Sequence, residues 1–150
     1  MGILYFVEMR MAEQRNVLCR WVEHYYEMGK RVQVLADSTV TAQHLDQLLW
    51  TFSQASFIPH RVVASWDGME PREPVIVGVG EVFVPGFPVL LCDAVASVDF
   101  MSRYEVAIHF ITLEDEDQRQ HSRDLWQAGK AQGLRLQHLP FTKQMQPPSV

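Results

Sequence analysis

Short apolar runs alternate with stretches of helical periodicity along this chain. Ile3 to Val7 is a run of strand length. Val17, Leu18, Trp21, Val22 and Tyr25 then recur on one helix face, which predicts a helix over about 12–28, with Gly29 placed to stop it. Val32 to Ala36 is almost continuously apolar, as in a strand covered on both faces. Ser38 or Thr39 can cap a second helix that runs to about Trp50.

Further on, Val62 to Ala64, Val75 to Val79, Val82 to Val84, Val89 to Cys92 and Val106 to Ile111 read as strands. Asp67-Gly68 and Pro71 to Pro74 mark a surface loop between two of them. A long helix is predicted over 114–132, stopped at Gly133, and Leu134 to His138 alternates like a closing strand. Strands interleaved with helices predict a three-layer α/β/α fold around a mixed, largely parallel sheet of Rossmann-like character. The strand-rich middle leaves little room for crossover helices, so some antiparallel pairs are expected there. One domain over residues 1–141 and a disordered tail over 142–150 complete the expected layout.

The second helix carries one residue out of pattern. Leu45, Leu48, Leu49 and Phe52 fall at i, i+3, i+4 and i+7, and at roughly 100° per residue Trp50 points well away from that face. Phe57-Ile58-Pro59 follow in the next loop. Edge-of-core packing accounts for any single one of these aromatics, whereas the off-face Trp beside a Phe-Ile-Pro loop has the form of a protein anchor.

Composition narrows the chemistry. Of 150 residues, 47% are hydrophobic and 21% charged, the balance of a globular domain large enough for its own core. A net charge of −5 argues against broad nucleic-acid binding but leaves room for a local basic stripe. The two cysteines, Cys19 and Cys92, have no metal or disulfide spacing and read as buried, reduced thiols. The six histidines include no i, i+3 or i, i+4 pair, so no metal site is expected. No apolar run approaches the roughly 20 residues of a membrane span, and the N-terminus lacks a signal-peptide pattern, so a cytoplasmic protein is expected. No phosphate-loop motif occurs, and Gly78-x-Gly80 is not followed by a helix. Asp93, at the end of a predicted strand, reads as a turn or capping residue, and neither a catalytic residue nor a cofactor is assigned.

The last helix adds a second feature. Arg119, Arg123, Trp126 and Lys130 fall at i, i+4, i+7 and i+11, a single basic, aromatic stripe on an acidic protein. Leu125, Ala128 and His121 are expected on the core side. A solvated face whose Trp shields the core edge would give this pattern. So would a groove for an acidic peptide with apolar residues.

The motifs Gly29-Lys30-Arg31-Val32, Leu45-Asp46-x-x-Leu49-Trp50 and Ser56-Phe57-Ile58-Pro59-His60 resemble the chi subunit of bacterial DNA polymerase III, a clamp-loader accessory protein. The resemblance extends over most of the chain through the order of its elements. It implies a non-catalytic adaptor with two contacts. Trp50, Phe57, Ile58 and Pro59 would meet a psi-like clamp-loader subunit. Arg119, Arg123, Trp126, Gln127 and Lys130 would hold the acidic C-terminal tail of single-stranded DNA-binding protein, which ends in Asp, Ile, Pro and Phe with a free carboxylate. Arg123 carries this correspondence most directly, Trp126 stands where the family often has another aromatic, and Gln127 where a basic residue can occur. Contact with DNA would be indirect, through these partners. Two other classes remain open: a degenerate nucleotide-binding α/β enzyme, marked by tight nucleotide binding, and a direct single-stranded nucleic-acid-binding module, marked by steep salt dependence.

Overall fold

The structure, a computed structural model of the chain, describes residues 2–52 and 57–150. β1 (Ile3–Met9) leads through a short 3-10 turn into α1 (Gln14–Glu27), β2 (Val32–Ala36) and α2 (Thr39–Thr51). Then come β3 (His60–Val63), β4 (Val75–Val79), β5 (Val89–Cys92), the short α3 (Val98–Met101), β6 (Val106–Thr112), α4 (Glu116–Ala131) and β7 (Arg135–Leu139). The strands form one seven-stranded sheet in the order β3-β4-β2-β5-β6-β1-β7.

Every pairing in that sheet is parallel. The antiparallel pairs expected in the middle of the chain are absent from the described residues. The crossovers there are made by irregular loops and the one-turn α3 rather than long helices, so strands packed closely in sequence still run the same way. Steps toward the β3 edge, β1 to β2 and β2 to β3, lay α1 and α2 on one face. Steps back toward the β7 edge lay residues 80–88, α3 and α4 on the other. A constant right-handed crossover produces that division.

Period-two alternation sorts the side chains of each strand between the two cores. In β1, Val7 and Met9 join Trp21, Val22 and Tyr25 of α1 and Leu45 and Leu49 of α2. Leu4 and Phe6 join Phe100, Met101, Leu125 and Trp126 on the opposite face. Ser38 starts α2, its hydroxyl accepting from the Thr41 N–H at 3.2 Å, and Gly29 follows α1 at φ 75°.

Val82 to Val84, expected as a strand, lies in an irregular loop between β4 and β5. Its apolar residues serve as a lid instead: Val84 and Phe87 pack with Val63 and Ile76 over the part of the α3/α4 face beside β3 and β4 that those helices leave uncovered. A buried Gln33 pins it, donating to the Val82 carbonyl at 2.6 Å and accepting from the Tyr104 hydroxyl at 2.8 Å. Gly78 is needed beside it, since a Cβ there would stand 3.0 Å from Gln33 Nε2.

The tail over 142–150 has no regular secondary structure, yet it touches the body of the protein. Met145 packs against the α1 core, and the buried Tyr25 hydroxyl donates to the Pro148 carbonyl at 2.5 Å.

Candidate functional site

α4 is built to sit close to the sheet. Asp115 caps it, accepting from the Gln118 N–H at 3.1 Å, and Glu116 and Asp117 place negative charge at its positive end. Its inward face is Ser122, Leu125, Trp126 and Gly129, again at i, i+3, i+4 and i+7. Ala128 and His121, expected toward the core, are exposed. Small residues displace them from that role: a Cβ on Gly129 would stand 3.0 Å from Leu136 Cδ2, so glycine lets the helix approach β7. Ser122 shares a 2.7 Å hydrogen bond with His109 of β6. Burial, with a smaller contribution from His121, holds the His109 pKa down at about 4, so it is neutral at pH 7.

Between α4 and the carboxyl ends of β1, β6 and β7 lies a cleft of about 460 Å³. Here the connections after the neighbouring strands β1 and β6 leave toward opposite faces, a crevice that open α/β sheets commonly use for ligands. Phe6, Ile111, Leu113 and Trp126 give it an apolar floor, with Trp126 edge-on to Phe6 at 5.1 Å between centroids.

Arg119, Arg123 and Trp126 of the stripe line this cleft, and so does Gln127, the residue the family resemblance added. Lys130 is exposed on the same helix but is not among the lining residues. The arginines share one carboxylate: Glu116 lies 3.5 Å from both Arg119 and Arg123. Arg123 also donates to Gln120 Oε1 at 2.9 Å. Such long, exposed ion pairs contribute little, on the order of 0–1 kcal/mol, and exchange readily for a better-placed carboxylate. The facing wall holds the Glu8–His138 pair, which sequence reasoning did not single out. Glu8 accepts from His138 Nε2 at 2.8 Å and from the Phe141 N–H at 3.2 Å. Period-two alternation in β1 would have put Glu8 beside Phe6, but nothing in the linear sequence links it to His138 of β7.

The other predicted surface lies at the far end of α2. Trp50 is 44% exposed and Phe57 69%, with ring centroids 5.2 Å apart. Pro59 is half-buried. Ile58 is not on this surface: at 1% exposure it is part of the α1/α2 core. His60 holds the loop in place. Its Nδ1 lies 2.7 Å from the Ile58 carbonyl and its Nε2 2.9 Å from Asp46 Oδ1, while its ring packs, tilted, against Trp50 at 4.4 Å between centroids. Ser56, which opens the sequence motif here, lies outside the described residues.

Elsewhere the nearly buried acid Asp93 and the two cysteines have structural roles. Asp93 is not a free turn residue, since its nearly buried carboxylate pairs with Arg15 of α1 at 3.3 Å. Cys19 and Cys92 are buried. Burial, reinforced by Asp93, pushes the Cys19 thiol up to about 12, and burial raises the Cys92 thiol further still, so both stay protonated. Among the described residues no three His, Cys, Asp or Glu side chains gather as a metal group, and no helix is long and apolar enough to cross a membrane.

Comparison with known proteins agrees with this architecture. The C-terminal domain of S. cerevisiae Dbp5, in a complex with Gle1 and IP6, superposes with a TM-score of 0.63 over 93% of this chain and 90% of that one. At 15% identity, that likeness is one of fold alone. The DNA polymerase III subunit chi of Pseudomonas aeruginosa is 26% identical over 122 residues, 81% of this chain and 82% of that protein. A family model described as "DNA polymerase III chi subunit, HolC" matches residues 1–137. The chain therefore belongs to the DNA polymerase III chi subunit family, accessory subunits of the polymerase complex in DNA replication.

Proposed function

We propose that the chain is a non-catalytic adaptor that joins a psi-like clamp-loader subunit to the acidic C-terminal tail of single-stranded DNA-binding protein. The observation that carries this reading is the shared carboxylate on α4. Glu116 sits between Arg119 and Arg123 at the mouth of an apolar cleft. A peptide carboxylate fits the same two guanidinium groups, and an apolar chain end fits the floor formed by Phe6 and Trp126. The planar fork of either arginine can grip two oxygens, and Arg123 is the one that carries the family correspondence most directly. The exposed Trp50–Phe57 pair supports the second half of the reading, as large aromatics are the usual anchors of protein interfaces. Two linked contacts of modest strength would together hold the polymerase assembly on coated single strands with high avidity.

The test is a titration of a labelled acidic peptide ending Asp-Ile-Pro-Phe against the wild type and Arg123→Glu. The reading expects binding by the wild type, weakened by salt, and its loss in the variant. Equal affinities would place the tail contact elsewhere.

A further inference from the structure

We infer that Glu8 sets the direction in which an acidic ligand lies in the α4 cleft and excludes ligands with a carboxylate at the wrong end. This rests on the peptide-binding reading above and goes beyond it, because the residue concerned is an acid on the wall opposite the arginines.

The two carboxylates of the cleft are held very differently. Glu116 is exposed and lies 3.5 Å from each arginine, so an incoming carboxylate can take its place. Glu8 accepts two hydrogen bonds, from His138 Nε2 at 2.8 Å and from the Phe141 N–H at 3.2 Å. A carboxylate can only accept, so the proton in the shorter bond belongs to His138. These donors come from β7 and from the chain just after it, and together they fix Glu8 against the sheet.

The consequence is a polar axis across the cleft. The α4 wall takes negative charge by exchanging Glu116 for the ligand, whereas the β1 wall already carries a charge that cannot leave. Between them lies an apolar floor, which a bound ligand would shield from water, so strengthening its own interaction with Glu8. With the terminal carboxylate of the ligand held by the α4 arginines, a further ligand carboxylate near Glu8 meets like charge, while an apolar group or an N–H donor does not. Discrimination of this kind comes from a repulsive element as much as from an attractive one.

The experiment uses two peptides derived from the one ending Asp-Ile-Pro-Phe, with the Pro replaced by Gln in one and by Glu in the other. They match in shape, keep the same terminal carboxylate and differ in one side-chain charge. Wild type is expected to prefer the Gln peptide by about tenfold, the size of a like-charge contact at short range in a partly desolvated site. Glu8→Gln should cut that preference to about twofold or less, whereas His138→Ala, which strips Glu8 of its partner, should widen it. A merely structural role would move both variants the same way. Thermal melts of both variants establish that they are folded.

If both peptides bind in an Arg123-dependent manner but neither variant alters the preference, the role of Glu8 is refuted and the cleft remains a peptide site. If the parent peptide binds the wild type and Arg123→Glu equally well, or does not bind at all, both this inference and the peptide reading fail.

Discussion

Trp126 and Trp50 are the same residue type in two settings, and the contrast separates the two surfaces of this protein. Trp126 lies half-buried at the base of a concave cleft, edge-on to Phe6 and continuous with the second core. Trp50 stands at the end of α2, 44% exposed beside an even more exposed Phe57. The first is part of the fold as well as of a candidate site. The second is supported from beneath by His60, which itself is tied to Asp46 and the Ile58 carbonyl. A concave site with charge at its rim suits a chain end, and a projecting aromatic pair suits a partner's pocket. Mutations should therefore separate stability from binding at the aromatic surface but not at the base of the cleft.

The largest stability effect expected beneath the cleft belongs to His109. Its folded pKa of about 4 lies below the ordinary imidazole value of 6.5, so between those two pH values the unfolded chain binds the proton and the folded chain does not. Stability is thus complete above about pH 6.5 and falls as pH drops toward about 4, by on the order of 3 kcal/mol. Urea melts of the wild type against His109→Gln across that window should show the slope shrink in the variant. An unchanged slope would assign the acid sensitivity to other groups.

Next in size is the tryptophan pair itself. Trp126→Ala should cost about 2 kcal/mol of folding stability, read by denaturant melts, because it leaves space against Phe6 in a core. Trp50→Ala should cost less than about 1 kcal/mol of stability while weakening the psi contact by about 2 kcal/mol or more. If Trp50→Ala unfolds the protein and binding per folded molecule is unchanged, Trp50 is a core residue and the contrast collapses.

The smallest effect concerns the rim. Glu116→Gln removes an internal competitor for Arg119 and Arg123, so tail peptide should bind about two- to fivefold more tightly, the scale of an exposed ion pair. Weaker binding would mean instead that Glu116 orients the arginines for the ligand.

Much of this was legible in the linear sequence because hydrophobic periodicity reports it directly. The strands at Val75–Val79 and Val89–Cys92, the Ser38 cap and the stop at Gly29 all stand where the pattern puts them. The stripe of Arg119, Arg123 and Trp126 likewise converges on one cleft. What periodicity does not encode went astray. Val82 to Val84 has a strand's composition, but the Val82 carbonyl accepts from Gln33 and its N–H turns back to the Gly80 carbonyl rather than to a neighbouring strand. The inward face of α4 includes Ser122 and Gly129, whose burial depends on His109 and Leu136 far along the chain. Ile58 sits in a motif of exposed aromatics, yet the turn made by His60 sends it into the core. The Glu8–His138 pair joins residues 130 positions apart across neighbouring strands, and no local signal announces it.

An adaptor of the proposed kind requires the aromatic surface and the α4 cleft to work independently within one small domain. A crosswise capture experiment tests that independence most directly: immobilised tail peptide, the chain in solution, and a psi subunit added last. Wild type should be retained and should bring psi with it. Trp50→Ala should be retained but bring little psi, and Arg123→Glu should not be retained, though it still binds psi in free solution. Loss of both contacts in either folded variant, or of neither in both, would contradict an adaptor built from two separate surfaces.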